Sequence, residues 1–251
     1  MADPAAALIS ALSKLPALQL LELSGSPGAP SEAMPTVVKL AALQASSLTA
    51  LSCSLASPPG GTLALNALPA LESCELTWVP DEDSDIVVTG ASFSGAAGIT
   101  QLTLSGNGVL RLAPHCFSGL SKLAELYLSV SGRTLISAVT LSGVGRSLRR
   151  LDLSLSSNLQ LPVDCLSGLS GLEELSLSFC GLKAVPAALS GVASTLRRLI
   201  LAENPELQLQ PKCFAGLEAL RELDLSDCGL GLVTEAMLSG LGGLQRLEMG
   251  E

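Results

Sequence analysis

The apolar positions of this chain recur in a fixed pattern, and its clearest copy runs from Leu172 to Leu182 with the sequence LEELSLSFCGL. With Leu172 as position 1, apolar residues occupy positions 4, 6, 9 and 11, and mostly polar residues lie between them. Alternation over positions 3 to 7 is typical of a short strand with one buried face. The pattern therefore predicts one strand in each copy, with a turn near position 9.

Copies of this unit recur about every 24 residues along nearly the whole chain. Their first residues are Leu18, Leu48, Leu71, Ile99, Leu123, Leu148, Leu172, Leu196, Leu220 and Leu244. A unit this short cannot bury its apolar face alone, so successive units must stack on one another. The sequence predicts a single domain over residues 1–251, built from about ten stacked repeats.

The spacing LxxLxLxx(N/C)xL resembles that of the leucine-rich repeat family. The resemblance implies an α/β fold, a right-handed horseshoe solenoid with a parallel sheet on its concave side and turns or short helices on its convex side. Parallel strands joined by crossovers of the same sense favour that hand. The resemblance also implies a module that binds protein partners and does not catalyse a reaction.

Three segments depart from the period. Residues 1–17 carry leucines at helical spacing and are predicted to form a helical cap over the first strand. The Pro- and Gly-bearing stretch Ser24–Pro35 is predicted to be a loop. Residues 81–90 contain four carboxylates and are predicted to form an acidic loop insertion, because the central glycine and final glutamate of a calcium-binding loop are missing.

Charge and cysteine placement restrict the function and the compartment. A net charge of −9 and a pI near 4.6 argue against nucleic-acid binding and favour a protein partner with a basic rim. The seven cysteines take repeat positions too far apart for disulfides, which predicts reduced core thiols in a reducing compartment. With no signal sequence or transmembrane run evident, we predict a cytoplasmic location; the family resemblance also allows the ciliary axoneme.

Catalytic chemistry has little support in this sequence. His115, the single histidine, takes position 17 on the predicted outer turn, far from the serines of the strands. The chain has no phosphate-binding GxxxxGK[ST], no dinucleotide-binding GxGxxG after a strand and no CxxC pair. We therefore predict a protein that is not an enzyme and that uses neither a cofactor nor a metal.

Positions 3 and 7 describe the outward face of the predicted sheet. Position 3 reads Glu125, Arg150, Glu174, Arg198, Glu222 and Arg246. Alternating charges at strand spacing are typical of a ladder that fixes sheet register, although the same charges could form a docking strip. Position 7 is almost entirely serine, threonine or alanine, which predicts a shallow groove beside the charges.

Aromatic and aliphatic residues outside the predicted core mark a candidate binding surface. The predicted partner-binding residues are Trp78, Val130, Leu155 and Phe179 at position 8, Tyr127 and Ile200 at position 5, and Arg150 and Arg198 at position 3. Exposed side chains of these types are common anchors of protein interfaces. In the alternative interpretation, position 8 packs beneath the following loop and Trp78 only covers the acidic insertion.

The last strand supports a second hypothesis. Leu247 and Met249 take positions that face inward, with no further repeat in this chain to cover them. Either the natural protein continues, or this edge associates with another chain. The alternative function is therefore a structural scaffold element of a larger assembly, which would use its ends and edges.

Overall fold

The computed structural model describes residues 4–23, 43–56, 61–65, 67–79, 85–106, 109–130, 136–157 and 159–250. Its elements are helix α1 (Pro4–Leu12) and strands β1 (Leu20–Leu23), β2 (Ala50–Ala56), β3 (Gly61–Thr62), β4 (Ser73–Val79), β5 (Asp85–Val88), β6 (Gln101–Gly106), β7 (Val109–Leu112), β8 (Glu125–Val130), β9 (Arg150–Asp152), β10 (Glu174–Ser176), β11 (Arg198–Ile200), β12 (Glu222–Asp224) and β13 (Arg246–Glu248). Together with a 3₁₀ helix at Ala187–Val192, α1 is all the helix assigned within these ranges.

One parallel sheet runs through the described part of the molecule. Its strand order is β1-β2-β4-β6-β8-β9-β10-β11-β12-β13, so each repeat contributes one strand beside that of the next repeat. The register matches equivalent positions, as in the pairing of Glu174 with Arg198 and of Arg198 with Glu222. The predicted parallel-sheet solenoid is confirmed. Its right-handed sense and concave curvature stay predictions.

The core consists of stacked leucines from successive repeats. Side chains alternate along a strand, so positions 4 and 6 enter the interior together with position 1. In three central repeats these residues are fully buried: Leu148, Leu151, Leu153, Leu172, Leu175, Leu177, Leu196, Leu199 and Leu201. Phe93, Phe117 and Phe214 close the core, as predicted, and the rings of Phe93 and Phe117 stack with centroids 6.2 Å apart.

The early repeats contain a second parallel sheet, in the order β3-β5-β7. Strand β5 therefore replaces part of the loop predicted over residues 81–90, which corrects that expectation. Ile86 and Val88 alternate with more exposed residues and are buried, so this part of the insertion fits a pleated, half-buried strand. Residues 80–84 and the predicted loop Ser24–Pro35 lie outside the described residues.

The N-terminal helix is shorter than the segment 1–17 that was predicted to be helical. It ends at Leu12, so Leu15 lies beyond the last helical turn and is 48% exposed. Leu8 is 43% exposed, and among the described side chains of the helix Ile9 is the one fully buried in the core. The predicted helix was too long because leucines at helical spacing continue in the sequence beyond Leu12, where the helix ends.

At the other end of the sheet, no described strand pairs with the outer side of β13. Leu247 is 38% and Met249 is 44% exposed, which agrees with the predicted exposure of this strand. Association through the edge stays a prediction. In the described ranges, the helices are too short or too polar to cross a membrane.

Candidate functional site

Position 8, three residues after the end of the strand, has an unusual backbone in the later repeats. Leu155, Phe179, Glu203 and Asp227 all take this position and have φ angles of 64°, 54°, 59° and 54°. Non-glycine residues seldom adopt this left-handed region. The N–H of Leu155 donates to Ser178 O at 2.9 Å and that of Phe179 to Ala202 O at 3.2 Å, so each turn stays bonded to the next repeat. The Leu155 and Phe179 side chains remain 58% and 48% exposed, as predicted.

The position 9 side chain stabilises this turn from within. Asn204 is fully buried, and its Nδ2 donates to the carbonyl oxygens of Leu177 at 3.0 Å and Leu201 at 2.7 Å. Its Oδ1 accepts from the amides of Cys180 at 3.1 Å and Leu182 at 2.9 Å. An inward asparagine therefore satisfies backbone groups of two adjacent repeats, as predicted.

Cysteine at position 9 does the same only in part. The Cys180 thiol donates to Leu153 O at 3.2 Å, and the Cys228 thiol donates to Leu201 O at 3.1 Å. A thiol is a weak donor and offers the neighbouring amides little as an acceptor. Asn or Ser alternates with Cys at position 9 along the repeats. Turns with strong side-chain hydrogen bonds therefore alternate with turns that have weak ones.

Trp78 does not belong to the exposed row, and its predicted outward placement is wrong. Strand β4 continues through positions 8 and 9, so position 8 follows the alternation of positions 4 and 6 into the core. Trp78 is 2% exposed, and its ring packs so closely on Gly106 that a Cβ there would lie 2.6 Å from Trp78 Cδ2. The signal that would have shown this is Val79 at position 9, where a turn would carry Asn, Ser or Cys.

Val130 takes position 8 in strand β8, and its side chain lies outside the described residues. Ile200 is half-buried in β11, opposite Asp224 of the next strand. The position-8 row that the structure does expose therefore begins at Leu155.

Tyr127 is held in place by charged neighbours on the open face of the sheet. Its hydroxyl donates to Glu125 Oε2 at 2.6 Å, and Arg150 Cζ lies 5.3 Å from the ring centroid. Burial and the hydrogen bond to Glu125 raise the pKa of Tyr127 to about 12, so the phenol remains a neutral donor. Tyr127 is half-buried, and these contacts fix its ring.

The position 3 ladder exists as ion pairs between adjacent strands. Arg150 Nη2 lies 3.4 Å from Glu174 Oε1, and Arg198 Nε lies 3.5 Å from Glu222 Oε2. Arg246 instead pairs with Glu248 of its own strand at 2.8 Å. Exposed pairs contribute at most about 1 kcal/mol each, so the ladder serves register more than overall stability.

Beside Phe179 lies a hollow of about 740 Å³. Phe179, Leu230 and Met249 give it apolar walls, whereas Glu203 and Asp227 bring two carboxylates. The apolar row of position 8 thus passes directly into an acidic border, in the order that the sequence predicts.

Comparison with known proteins agrees with this architecture. A family model described as leucine rich repeat matches residues 194–251. Together with the parallel strands of successive repeats, this match supports a leucine-rich-repeat protein. A search of curated protein sequences found no significant match.

Two solved structures share the fold of this chain. The crystal structure of a TLR13–ssRNA13 complex aligns with a TM-score of 0.51 and 22% identity over 95% of this chain, which spans only 36% of that one. An octameric complex of Latrophilin 3, Unc5D and the LRR part of FLRT2 aligns with a TM-score of 0.54 and 16% identity. That match covers 94% of this chain and 79% of the other.

The other reactive groups of the described residues do not converge. His115 Nδ1 lies 2.6 Å from Ser142 Oγ, which donates to Val139 O at 2.9 Å, and no carboxylate contacts this exposed pair in the described residues. A search of the described ranges found no group of three or more possible metal ligands. All seven cysteines are free, and burial raises the pKa of Cys53 and Cys165 to about 12.

One polar feature of the structure was not predicted from the sequence. Arg146, Arg149, Arg197 and Arg221 line a groove at the edge where the strands begin. Three of them take position 2, one place before the charge ladder. The arginines are visible in the sequence at position 2, but the pattern predicts an outward direction only for positions 3, 5 and 7.

Proposed function

We propose that this leucine-rich-repeat protein is a non-catalytic module that binds a protein partner on the open, concave face of its sheet and along the position 8 border. The observation that carries the proposal is the exposure of Leu155 and Phe179 on adjacent repeats. Both have left-handed backbones, which cost about 1 kcal/mol each for residues with a Cβ. Neither exposed side chain contributes to the core, so a role in binding explains large apolar residues at these positions better than a role in stability does.

The surroundings of this pair suggest the chemistry of the partner. Tyr127 and Ile200 supply half-buried apolar surface on the sheet, and Arg150 and Arg198 supply charge beside it. Carboxylates of the acidic border follow Phe179 along the row. An apolar anchor flanked by Lys or Arg would complement this arrangement.

The structural neighbours support a binding role in general terms. FLRT2 is present in a complex with Latrophilin 3 and Unc5D, and TLR13 in a complex with ssRNA. For this chain, the net charge of −9 favours a protein over RNA. We further propose a reducing, cytoplasmic location, for which the free buried thiols are the support, with the ciliary axoneme as the alternative.

Site-specific photocrosslinking tests the surface directly. A benzoylphenylalanine at position 179 should crosslink to a discrete protein in native lysate, whereas the same group at Val163, which is 65% exposed, should not. With the partner purified, Phe179→Ala and Leu155→Ala should each weaken binding by more than about 1 kcal/mol in calorimetry. Equal crosslinking from both positions, or unchanged affinity of both variants, would contradict the proposal.

The second candidate function, a scaffold element that associates through β13, is favoured by the exposure of Leu247 and Met249. Light scattering should then show a mass that rises with concentration, and Met249→Lys should abolish the rise. A concentration-independent monomer would exclude self-association through this edge.

A further inference from the structure

A second charged surface lies away from the position 8 border. The arginine groove, defined by Arg146, Arg149, Arg197 and Arg221, has a volume of about 440 Å³ and includes Glu173. It gathers four of the chain's 14 lysines and arginines in a protein of net charge −9. Positive charge is therefore concentrated at this groove in a protein that is acidic overall.

Two of these guanidinium groups are fixed by backbone carbonyls. Arg149 Nη1 donates to Arg146 O at 2.8 Å and to Gly171 O at 3.0 Å. Arg221 Nη1 donates to Glu218 O at 3.0 Å, Leu220 O at 3.0 Å and Gly243 O at 3.2 Å.

Fixing through Nη1 leaves the rest of each guanidinium for other partners. Among the described residues, the Nε and Nη2 groups of Arg221 have no hydrogen-bond or ion-pair partner, whereas Arg149 Nε lies 3.7 Å from Glu173 Oε1. A planar guanidinium fixed in this way loses little further freedom when it binds an anion.

The charge pattern at position 2 also departs from that at position 3. Arg197 and Arg221 take equivalent places on adjacent repeats, and Arg221 N donates to Arg197 O at 2.7 Å. Like charges on neighbouring strands are destabilising, yet one place further on Arg198 is paired with Glu222. The Arg197 side chain is exposed and contacts no carboxylate in the described part of the chain. Position 2 therefore has two adjacent arginines at the groove, whereas the charges at position 3 alternate in sign and pair between strands.

We propose that the arginine groove binds a short acidic peptide segment through its side-chain carboxylates. From Arg149 to Arg221 the groove crosses three strand spacings of ~4.8 Å, or roughly 14 Å, about the length of four or five extended residues. Arginine forms bidentate pairs with carboxylates, and two fixed guanidinium groups suit that geometry. The groove's length of roughly 14 Å suits a short segment and disfavours a long polyphosphate chain. This site is separate from the surface in the proposed function.

Fluorescence anisotropy with a labelled hexaglutamate peptide tests the site. The peptide should bind the unmodified protein, and a hexaglutamine peptide should not. The double variant Arg146→Glu/Arg197→Glu should bind hexaglutamate roughly tenfold more weakly, because it replaces two attractive contacts with repulsion. These two side chains donate no hydrogen bond within the described residues, so the melting temperature should change little.

A matched control separates the groove from net charge. Lys183→Glu/Lys212→Glu alters the charge by the same amount at two exposed positions outside the groove and should leave peptide affinity unchanged. An equal loss in both double variants, or no preference for glutamate over glutamine, would overturn the proposal. Tighter binding of a hexauridylate RNA than of hexaglutamate would also overturn it. Phe179→Ala should leave hexaglutamate affinity unchanged, so failure here and failure of the partner-binding surface can be told apart.

Discussion

Asn204 is the side chain whose loss should most weaken the regular repeats. In Asn204→Ala, the amides of Cys180 and Leu182 lose the oxygen that accepts their hydrogen bonds, and Leu177 O loses its donor. Nδ2 also donates to Leu201 O and, at 3.1 Å, to Ala202 O. These two carbonyls keep partners in the variant, because Leu201 O accepts from the Cys228 thiol and Ala202 O from the amide of Phe179.

The magnitude follows from the three groups left unpaired. Each buried unsatisfied group costs about 1 kcal/mol or more, so Asn204→Ala should lower the free energy of unfolding by about 3 to 4 kcal/mol. Urea unfolding followed by far-ultraviolet circular dichroism measures this change. Hydrogen exchange at the amides of Cys180 and Leu182 should accelerate relative to the core strands.

Cys180→Ala is the matched control, because it is buried at the same position of the preceding repeat. It removes a weak thiol donor to Leu153 O and leaves no amide unpaired, so its cost should be roughly 1 kcal/mol. A loss of stability in Asn204→Ala no larger than that in Cys180→Ala would refute the assignment of the asparagine as the main fastening of the turn.

Two further predictions concern the packing of the early repeats and the thiols. Gly106→Ala should cost about 1 to 3 kcal/mol and shift the emission of Trp78 to the red, because the new Cβ would lie 2.6 Å from the Trp78 ring, whereas Gly119→Ala, with nothing within 4 Å, should be neutral. Since burial raises the pKa of the thiols, Ellman's reagent at pH 8 should modify the partly exposed Cys213 first and the six buried cysteines only as the protein unfolds. Modification of several thiols at the rate of free cysteine would contradict that account.

The candidate site shows where position within a repeat was informative and where it was not. Leu155 and Phe179 were predicted to be exposed from their place at position 8, and they are exposed. Their repeats have Ser156 and Cys180 at the turn position. Trp78 was misplaced because the same position number was assigned the same direction in every repeat. Its strand ends at Val79 (position 9), four positions later than strands β9 and β10, so the alternation of buried and exposed side chains continues through Trp78 and buries it.

The sequence by itself determined the repeat, the register and most of the core. Leucines at positions 1, 4 and 6 leave one way to bury apolar surface, which is to stack equivalent strands in parallel. Local pattern also indicated the function of Asn204, because an amide inside a turn must satisfy backbone groups.

Tertiary structure decided where each strand stops, and therefore which side chains the surface displays. The left-handed backbone at Phe179 and the second sheet that includes β5 both depend on contacts between repeats, as in the hydrogen bond from Phe179 N to Ala202 O. The arginine groove likewise forms because stacking brings position 2 of successive repeats together, although those residues lie about 24 apart in the chain. A pattern within one repeat cannot specify such features, because their energies belong to pairs of neighbouring repeats.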